Sequence, residues 1–232
     1  MTMEQKSKKD LRINGIGSSA GGHFDSVQIN GKGDINGDLE CTDLEINGLG
    51  FVRGNVKSNR TRISGKSTIA GNLAGKEVII DGMSEITGGL SGDNIENRGM
   101  LKVSKDCGSE TFTSHGGFTI GGLLNAGSIE INIYGPCKAK EVGGEKIQIR
   151  DGGTFGIGKF IGSLFQGWPL KTILTVDTIE GDDIYLECTT AKIVRGGNVK
   201  IGKGCQIDLV EYKNTFQKDG FSDIRINETR KL

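Results

Sequence analysis

Side chains suited to metal binding or acid–base catalysis are scarce in this sequence. Histidine occurs only at His23 and His115, so one chain cannot assemble a three-histidine zinc site. His115 also occupies the position that Asn30, Asn47 and Asp81 hold in a 17-residue repeat described below. It is therefore predicted to be a corner residue of that repeat, and we predict neither a metal site nor a catalytic residue.

The cysteines form no recognisable motif either. Cys41, Cys107, Cys137, Cys188 and Cys205 are odd in number, widely separated and never spaced as CxxC. This pattern argues against a disulfide framework and against a zinc site. We predict that the cysteines are small buried apolar side chains.

Two further stretches of sequence resemble functional motifs, but each lacks other residues that its motif requires. The glycine-rich string GGTFGIGK, residues 152–159, ends in a lysine that no serine or threonine follows, so the phosphate-loop pattern fails. The acidic pair Asp182 and Asp183 lies where a turn is predicted, with no partner for acid–base work. We therefore expect no cofactor and no enzymatic activity.

Composition narrows the class of partner. Lysine plus arginine and aspartate plus glutamate number 29 each, for a formal net charge of zero, so no global field attracts nucleic acid. The sequence has no apolar run long enough to span a membrane, and its charged start, MTMEQKSKKD, has no apolar segment after it. These features favour a cytoplasmic protein.

A repeat of 17 residues is the strongest signal in the sequence. Glycine recurs with this period from Gly31 to Gly116, and apolar residues follow the same period in three columns. The columns are Val27, Leu44, Thr61, Val78, Ile95, Phe112 and Ile129; Ile35, Val52, Ile69, Ile86, Val103 and Ile120; and Leu39, Val56, Leu73, Leu90, Cys107 and Leu124. Three apolar columns per repeat predict a coil with three short sides.

Within one repeat, residues 27–43, apolar and polar residues alternate as in a β-strand. Asn-Gly pairs such as Asn30-Gly31, Asn36-Gly37 and Asn47-Gly48 separate the alternating stretches, and we expect them to supply positive φ angles at the corners. Hairpins would not require equal repeat lengths, whereas stacked coils do. The sequence therefore predicts an all-β fold, a single-stranded parallel β-helix with about 17 residues per coil.

The repeat divides the chain into five segments. We predict an N-terminal tail over 1–10, a main β-helix over 11–150, an interrupting segment over 151–172, further coils over 173–213 and a C-terminal tail over 214–232. In the further coils, Ile184 and Leu186 recur as Val199 and Ile201, an offset of 15 residues.

The interrupting segment has the apolar spacing of an amphipathic helix. Its apolar stripe consists of Ile157, Phe160, Ile161, Leu164, Phe165 and Trp168. The stripe could cover the solenoid, or it could lie in a membrane interface. Between Ile157 and Trp168 the only charge is Lys159, and interfacial helices usually carry more charge, which favours the covering role and leaves peripheral membrane contact as the alternative.

The sequence resembles the bactofilins, the polymer-forming cytoskeletal proteins of bacteria, in two respects. It has the repeat [LIV]-x-I-x-G followed by x-I-x-G-x-L, and it has the later strings GDDIYLE, VRG, IGKGC and LVEY. The similarity covers about residues 11–213. It implies a right-handed parallel β-helix that polymerises end to end without nucleotide and positions other proteins. Family members typically have a shorter central solenoid with flexible tails, and this longer chain with its interrupting segment departs from that pattern.

A self-assembling scaffold is therefore the predicted function, with the chain itself and client proteins as partners. For the end-to-end contact we predict Val27, Ile29 and Ile35 in the early coils and Val199, Ile201 and Ile207 in the late coils. Two alternatives stay open. One is an enzyme like the left-handed β-helix acyltransferases, whose repeat is near this one in length, and the other is an adaptor that does not polymerise.

Overall fold

The computed structural model describes residues 9–153, 172–221 and 223–232. In these ranges one 17-stranded parallel sheet winds into a solenoid of about 12 turns with about 17 residues per turn. Up to residue 153 the strands are β1 (Lys9–Ile13), β2 (Ile16–Ile29), β3 (Lys32–Ile46), β4 (Leu49–Val52), β5 (Val56–Ile63), β6 (Lys66–Ile69), β7 (Leu73–Ile80), β8 (Met83–Ile86), β9 (Leu90–Asn97), β10 (Met100–Val103), β11 (Cys107–Ser114), β12 (Gly117–Ile133) and β13 (Cys137–Asp151). From residue 172 they are β14 (Leu174–Leu186), β15 (Thr189–Ile201), β16 (Gln206–Lys218) and β17 (Arg225–Lys231). The predicted all-β solenoid is confirmed.

The three predicted apolar columns are confirmed as continuous interior columns. Ile35 pairs with Val52, and the same parallel register continues one coil at a time through Ile69 and Ile86. The column that contains Val27 extends in both directions beyond the predicted stretch, because Leu11 and Phe216 occupy its two ends. Each coil therefore buries its apolar side chains only against its neighbours.

The corner glycines serve a different purpose from the predicted one. Gly37 has a φ of 124°, as expected, but Gly31 and Gly48 do not have positive φ angles. At Gly48 an added Cβ would overlap the carbonyl oxygen of Gly31, one coil earlier. Close approach between successive coils, and not turn geometry, thus selects glycine in this column.

At another corner, the side chains of aspartate and asparagine link successive coils by hydrogen bonds. The Oδ1 atom of Asp38 accepts a hydrogen bond from the backbone N–H of Asn55 at 2.7 Å, and Asn55 in turn accepts from the N–H of Asn72 at 2.9 Å. Asn72 then accepts from the N–H of Gly89 at 2.8 Å. These bonds satisfy backbone donors that the strands leave unpaired at the corner.

One interior column is interrupted by polar side chains that the repeat pattern does not indicate. Asn97 and Ser114, both fully buried, replace the isoleucines found at Ile63 and Ile80. The Nδ2 atom of Asn97 donates to the Ser114 hydroxyl and to the Gly117 carbonyl, each at 3.1 Å. The core thus contains a hydrogen-bonded pair where apolar residues would have continued the column.

The strands also differ from two of the predicted boundaries. β1 begins at Lys9, and β17 lies inside the segment assigned to a C-terminal tail. β17 was missed because almost all of its side chains are exposed, with only Ile226 partly buried over Ile207, so it carries no apolar periodicity. Backbone pairing with β16 defines this strand.

The coils on the two sides of the interruption form one stack. Cys137 pairs with Leu174 and Ile149 with Leu186, so β14 follows β13 directly in the sheet. The predicted offset of 15 is confirmed by the pairing of Ile184 with Val199. The apolar stripe from Ile157 to Trp168 lies outside the described residues.

Candidate functional site

The six residues predicted for end-to-end contact lie inside the solenoid and not at its ends. Each is at most 2% exposed. Leu11 and Ile13 cover Val27 and Ile29 on one side, and β3 covers them on the other. Ile35 is likewise enclosed between β2 and β4.

The late residues of the set are enclosed in the same way. Val199 lies between Ile184 and Phe216, and Ile207 pairs with Ile226 in the next strand. Ile201 is also covered on both sides by β14 and β16. The assignment of direct contacts to these six side chains is therefore corrected, because a neighbouring coil already occupies the space that a second molecule would need.

The N-terminal end of the described solenoid has an incompletely covered coil. β1 covers only the second half of β2, from Phe24 to Ile29. The first half of β2, from Ile16 to Ala20, pairs with β3, and no other described strand pairs with it. Leu11, partly buried, is the last apolar side chain of its column at this end.

The C-terminal end has a matching arrangement. β17 covers β16 only from Gln206 to Tyr212, so within the described chain the stretch from Thr215 to Lys218 has a strand on one side only. Phe216 stacks on Tyr212 with ring centroids 5.5 Å apart. Both aromatic rings are partly buried against the core, and Phe216 ends the column that Leu11 begins.

The sides of the solenoid carry charges that pair from coil to coil. Arg195 lies 2.8 Å from Glu211 and 3.4 Å from Glu180 in adjacent strands, and its hydrogen bond to Glu211 raises the pKa of the guanidinium. Lys192 similarly lies 2.7 Å from Asp177. These ladders pair charges within the chain. The exposed Lys192–Asp177 pair adds little to stability because solvent screens it, whereas the Glu211 carboxylate is buried and is paired by Arg195.

A second polar cluster lies where the chain leaves β13, and sequence reasoning missed it. Lys203 lies 2.7 Å from Asp151 and lowers the pKa of that carboxyl group. The Tyr185 hydroxyl donates to Glu187 at 2.7 Å, and Glu187 also accepts from the backbone N–H of Asp151 at 2.8 Å. Asp151 is 36 residues from Glu187 and 52 residues from Lys203, so no local motif could indicate that they meet.

This cluster fixes backbone position and does not activate a nucleophile. Burial, followed by the bond to Glu187, raises the pKa of Tyr185 to about 12, so its hydroxyl is neutral at physiological pH. Arg150 and Lys200 lie 5.9 Å and 5.5 Å from the centroid of the same ring. The cations stabilise the ring in place, and the cluster anchors the end of β13.

The histidines are not brought together. His23 lies 3.3 Å from Glu40, and His115 lies 3.5 Å from Asn132 across a different corner. Across residues 9–153, 172–221 and 223–232 no three metal-binding side chains form a cluster. His115 stacks in the column of Asn47 and Asn132 as a corner residue, as the repeat predicts.

Four of the five cysteines are in the predicted buried environment, and Cys188 is not. Cys41, Cys107, Cys137 and Cys205 are buried, Cys188 is partly exposed, and these five form no disulfide. Burial raises the pKa of Cys107, Cys137 and Cys205 to about 12. Since the thiolate is the reactive form, these side chains are chemically inert in the folded protein.

A thiol-labelling experiment tests this arrangement. At pH 8 we expect maleimide to modify Cys188 alone in the folded protein, because the other four cysteines are buried and the thiols of Cys107, Cys137 and Cys205 remain protonated well above that pH. In denaturant all five cysteines should be labelled. Mass spectrometry counts the adducts, and the Cys188→Ser variant serves as the control. Rapid native labelling of Cys107 or Cys137 would contradict the buried columns.

In the part of the chain that the structure describes, no helix is long and apolar enough to cross a membrane.

Comparison with known proteins gives two curated relatives from Bacillus subtilis. Uncharacterized protein YhbF is 36% identical over 105 residues, covering 45% of this chain and 40% of the relative. Uncharacterized protein YhbE is 39% identical over 101 residues, covering 43% of this chain and 40% of the relative.

Each match thus spans less than half of the relative, and no solved structure matches the chain. A family model does match, over residues 2–91, and its description is bactofilin, polymer-forming cytoskeletal. These residues contain the first coils of the solenoid and part of the [LIV]-x-I-x-G repeat. The strings GDDIYLE, VRG, IGKGC and LVEY, on which the resemblance also rests, lie within residues 181–212, outside the match. Over residues 2–91 the chain is therefore similar to the bactofilins, the family that this model describes as polymer-forming cytoskeletal, and the matched stretch lies in the β-solenoid.

Proposed function

We propose that this protein is a cytoskeletal scaffold that assembles with copies of itself through the ends of its solenoid and positions client proteins. The observation that carries the proposal is that one core column ends in partly buried apolar side chains, Leu11 at one end and Phe216 at the other. The description of the matching family as polymer-forming supports the same function.

The end coils offer both kinds of interaction that stacking needs. Strand edges present unpaired N–H and C=O groups, and the partly buried rings of Phe216 and Tyr212 lie beside such an edge. Docking another end would continue the sheet and the apolar column together. This contact requires no nucleotide, because the coil-to-coil interactions inside the chain are of the same kind.

Charged substitutions at the end coils test the proposal. Phe216→Asp and Leu11→Asp should each convert large assemblies into small particles, because the docked end would bury an unpaired carboxylate. Analytical ultracentrifugation and electron microscopy measure the change. Ser91→Asp, an exposed position on the side of a central strand, is the matched control and should assemble like the unmodified chain.

Assembly that survives both end substitutions would remove the proposed contact. An unmodified chain that is monomeric at every concentration would instead support the non-polymerising adaptor. The acyltransferase-like alternative rests on repeat length alone and would need a catalytic histidine. His23 and His115 lie apart, with Glu40 and Asn132 as their neighbours, and loss of a measured acyl transfer on replacing either histidine by alanine would favour this alternative. We place the scaffold in the bacterial cytoplasm, as its family description suggests.

A further inference from the structure

Three of the large apolar side chains that the fold leaves exposed share a single corner column. Ile16 is 90% exposed, Leu49 44% and Met83 40%. The parallel register places them in successive positions with Lys32 between the first two and Lys66 between the last two. We call the column formed by these five residues the edge column.

Apolar and cationic side chains therefore alternate along the edge column from coil to coil. At a strand spacing of about 4.8 Å, the apolar side chains stand about 10 Å apart with one lysine between each pair. The column spans four coil steps, or about 19 Å. It contains no acidic residue.

The lysines of the edge column differ from the charges beside them. Arg53 pairs with Asp34, and Lys102 pairs with Glu85 at 2.7 Å. Among the described residues, neither Lys32 nor Lys66 forms an ion pair, and both are exposed. The fold thus leaves two cations free in the same column in which it leaves three apolar side chains uncovered.

The position of the column limits what can cover it. Each residue directly follows a glycine. The N–H groups of Lys32, Leu49, Lys66 and Met83 each donate to a glycine carbonyl of the preceding coil, as Leu49 does to Gly31 and Lys66 to Gly48. The side chains therefore project from a corner between two sides of the solenoid. A projecting corner can insert into a deformable surface, whereas a rigid protein would need a groove that matches the corner.

We propose that the edge column is a contact site for an anionic lipid surface. Its apolar side chains would enter the boundary between head groups and acyl chains, and its lysines would lie at the level of the anionic head groups. A second copy of the chain is a poorer occupant, because two such columns bring lysines together without any carboxylate. The contact does not rest on self-assembly, although an assembled scaffold would repeat it and multiply its strength.

Vesicle flotation with the full chain tests the site. We expect the protein to float with vesicles of equal parts phosphatidylcholine and phosphatidylserine, and not with phosphatidylcholine alone. The double variant Lys32→Glu and Lys66→Glu should bind at least about tenfold more weakly, because attraction to anionic lipid is replaced by repulsion. Raising the salt concentration should weaken binding of the unmodified chain in the same way.

A second variant tests the apolar part of the column. Leu49→Ser together with Met83→Ser should also reduce flotation. The control, Leu123→Ser with Lys76→Glu, changes a leucine that is 36% exposed and an exposed lysine, both outside the column, and should float normally. Circular dichroism confirms that each variant is folded.

Three outcomes would overturn the proposal. The first is an unmodified chain that floats with neither type of vesicle. The second is an edge-column variant that floats like the unmodified chain, which would place any lipid contact elsewhere, for example in residues 157–168. The third is loss of flotation to the same degree in the Leu123 and Lys76 control, which would indicate a general charge effect.

Discussion

Replacing Val194 by aspartate is expected to destabilise the protein by about 4 kcal/mol or more. Val194 is fully buried in β15, between Ile179 and Val210 of the adjacent strands. A carboxylate there would be surrounded by apolar side chains and would have no cation to pair with, which is among the most costly of single substitutions. Thermal and urea unfolding followed by circular dichroism measure the loss.

The adjacent residue provides a matched control. Ile193 is only partly buried and faces outward beside Thr178 and Leu209. Ile193→Asp introduces the same charge one position away and should cost about 1 kcal/mol, as is usual outside the core. Equal losses for the two variants would contradict the inside-outside alternation of β15, which lies beyond the part of the chain that matches the bactofilin family model.

The Val194→Asp variant should also show a characteristic dependence on pH. Burial raises the pKa of a carboxyl group above its unfolded value of about 3.9. The folded state then binds the proton more tightly than the unfolded state does, so stability should be regained as the pH falls toward the unfolded pKa. The unmodified protein lacks this buried carboxyl, and the difference between the two stability curves should therefore shrink in acid.

Replacing Gly82 by alanine is the second substitution with a large expected effect. An added Cβ would overlap the carbonyl oxygen of Gly65 in the preceding coil. The backbone cannot move away without breaking the bond from the Met83 N–H to that same oxygen, which is 2.9 Å long. We expect a loss of about 1–3 kcal/mol, typical of overpacking, measured as a lower midpoint of urea unfolding.

Gly108 supplies the control for this substitution. A Cβ at Gly108 meets no atom within 4 Å, and the residue does not have a positive φ. Gly108→Ala should therefore leave stability unchanged or raise it slightly, because alanine restricts the unfolded chain more than glycine does. If Gly82→Ala proves as harmless as Gly108→Ala, close coil-to-coil contact is not the reason for the glycine column.

The sequence alone determined the architecture, because each side chain in a stacked coil repeats the environment of its equivalent 17 residues earlier. The columns through Ile35 and Leu39 follow from the 17-residue period, and the pairing of Ile184 with Val199 follows from the later offset of 15. The burial of cysteines such as Cys107 follows from the same register. Periodicity predicts these features well since it is a local property repeated many times.

Only the tertiary structure decided where the ends and edges lie. Val27 and Ile207 looked terminal by their order in the chain, but Leu11 covers the first and Ile226 the second. The salt bridge between Asp151 and Lys203 could not be predicted either, because its partners are 52 residues apart and share no repeat position. The repeat determines which residues stack on one another. Exposure and end contacts depend instead on where the stack of coils ends and on which neighbouring coil is missing there. A periodic sequence does not encode that position.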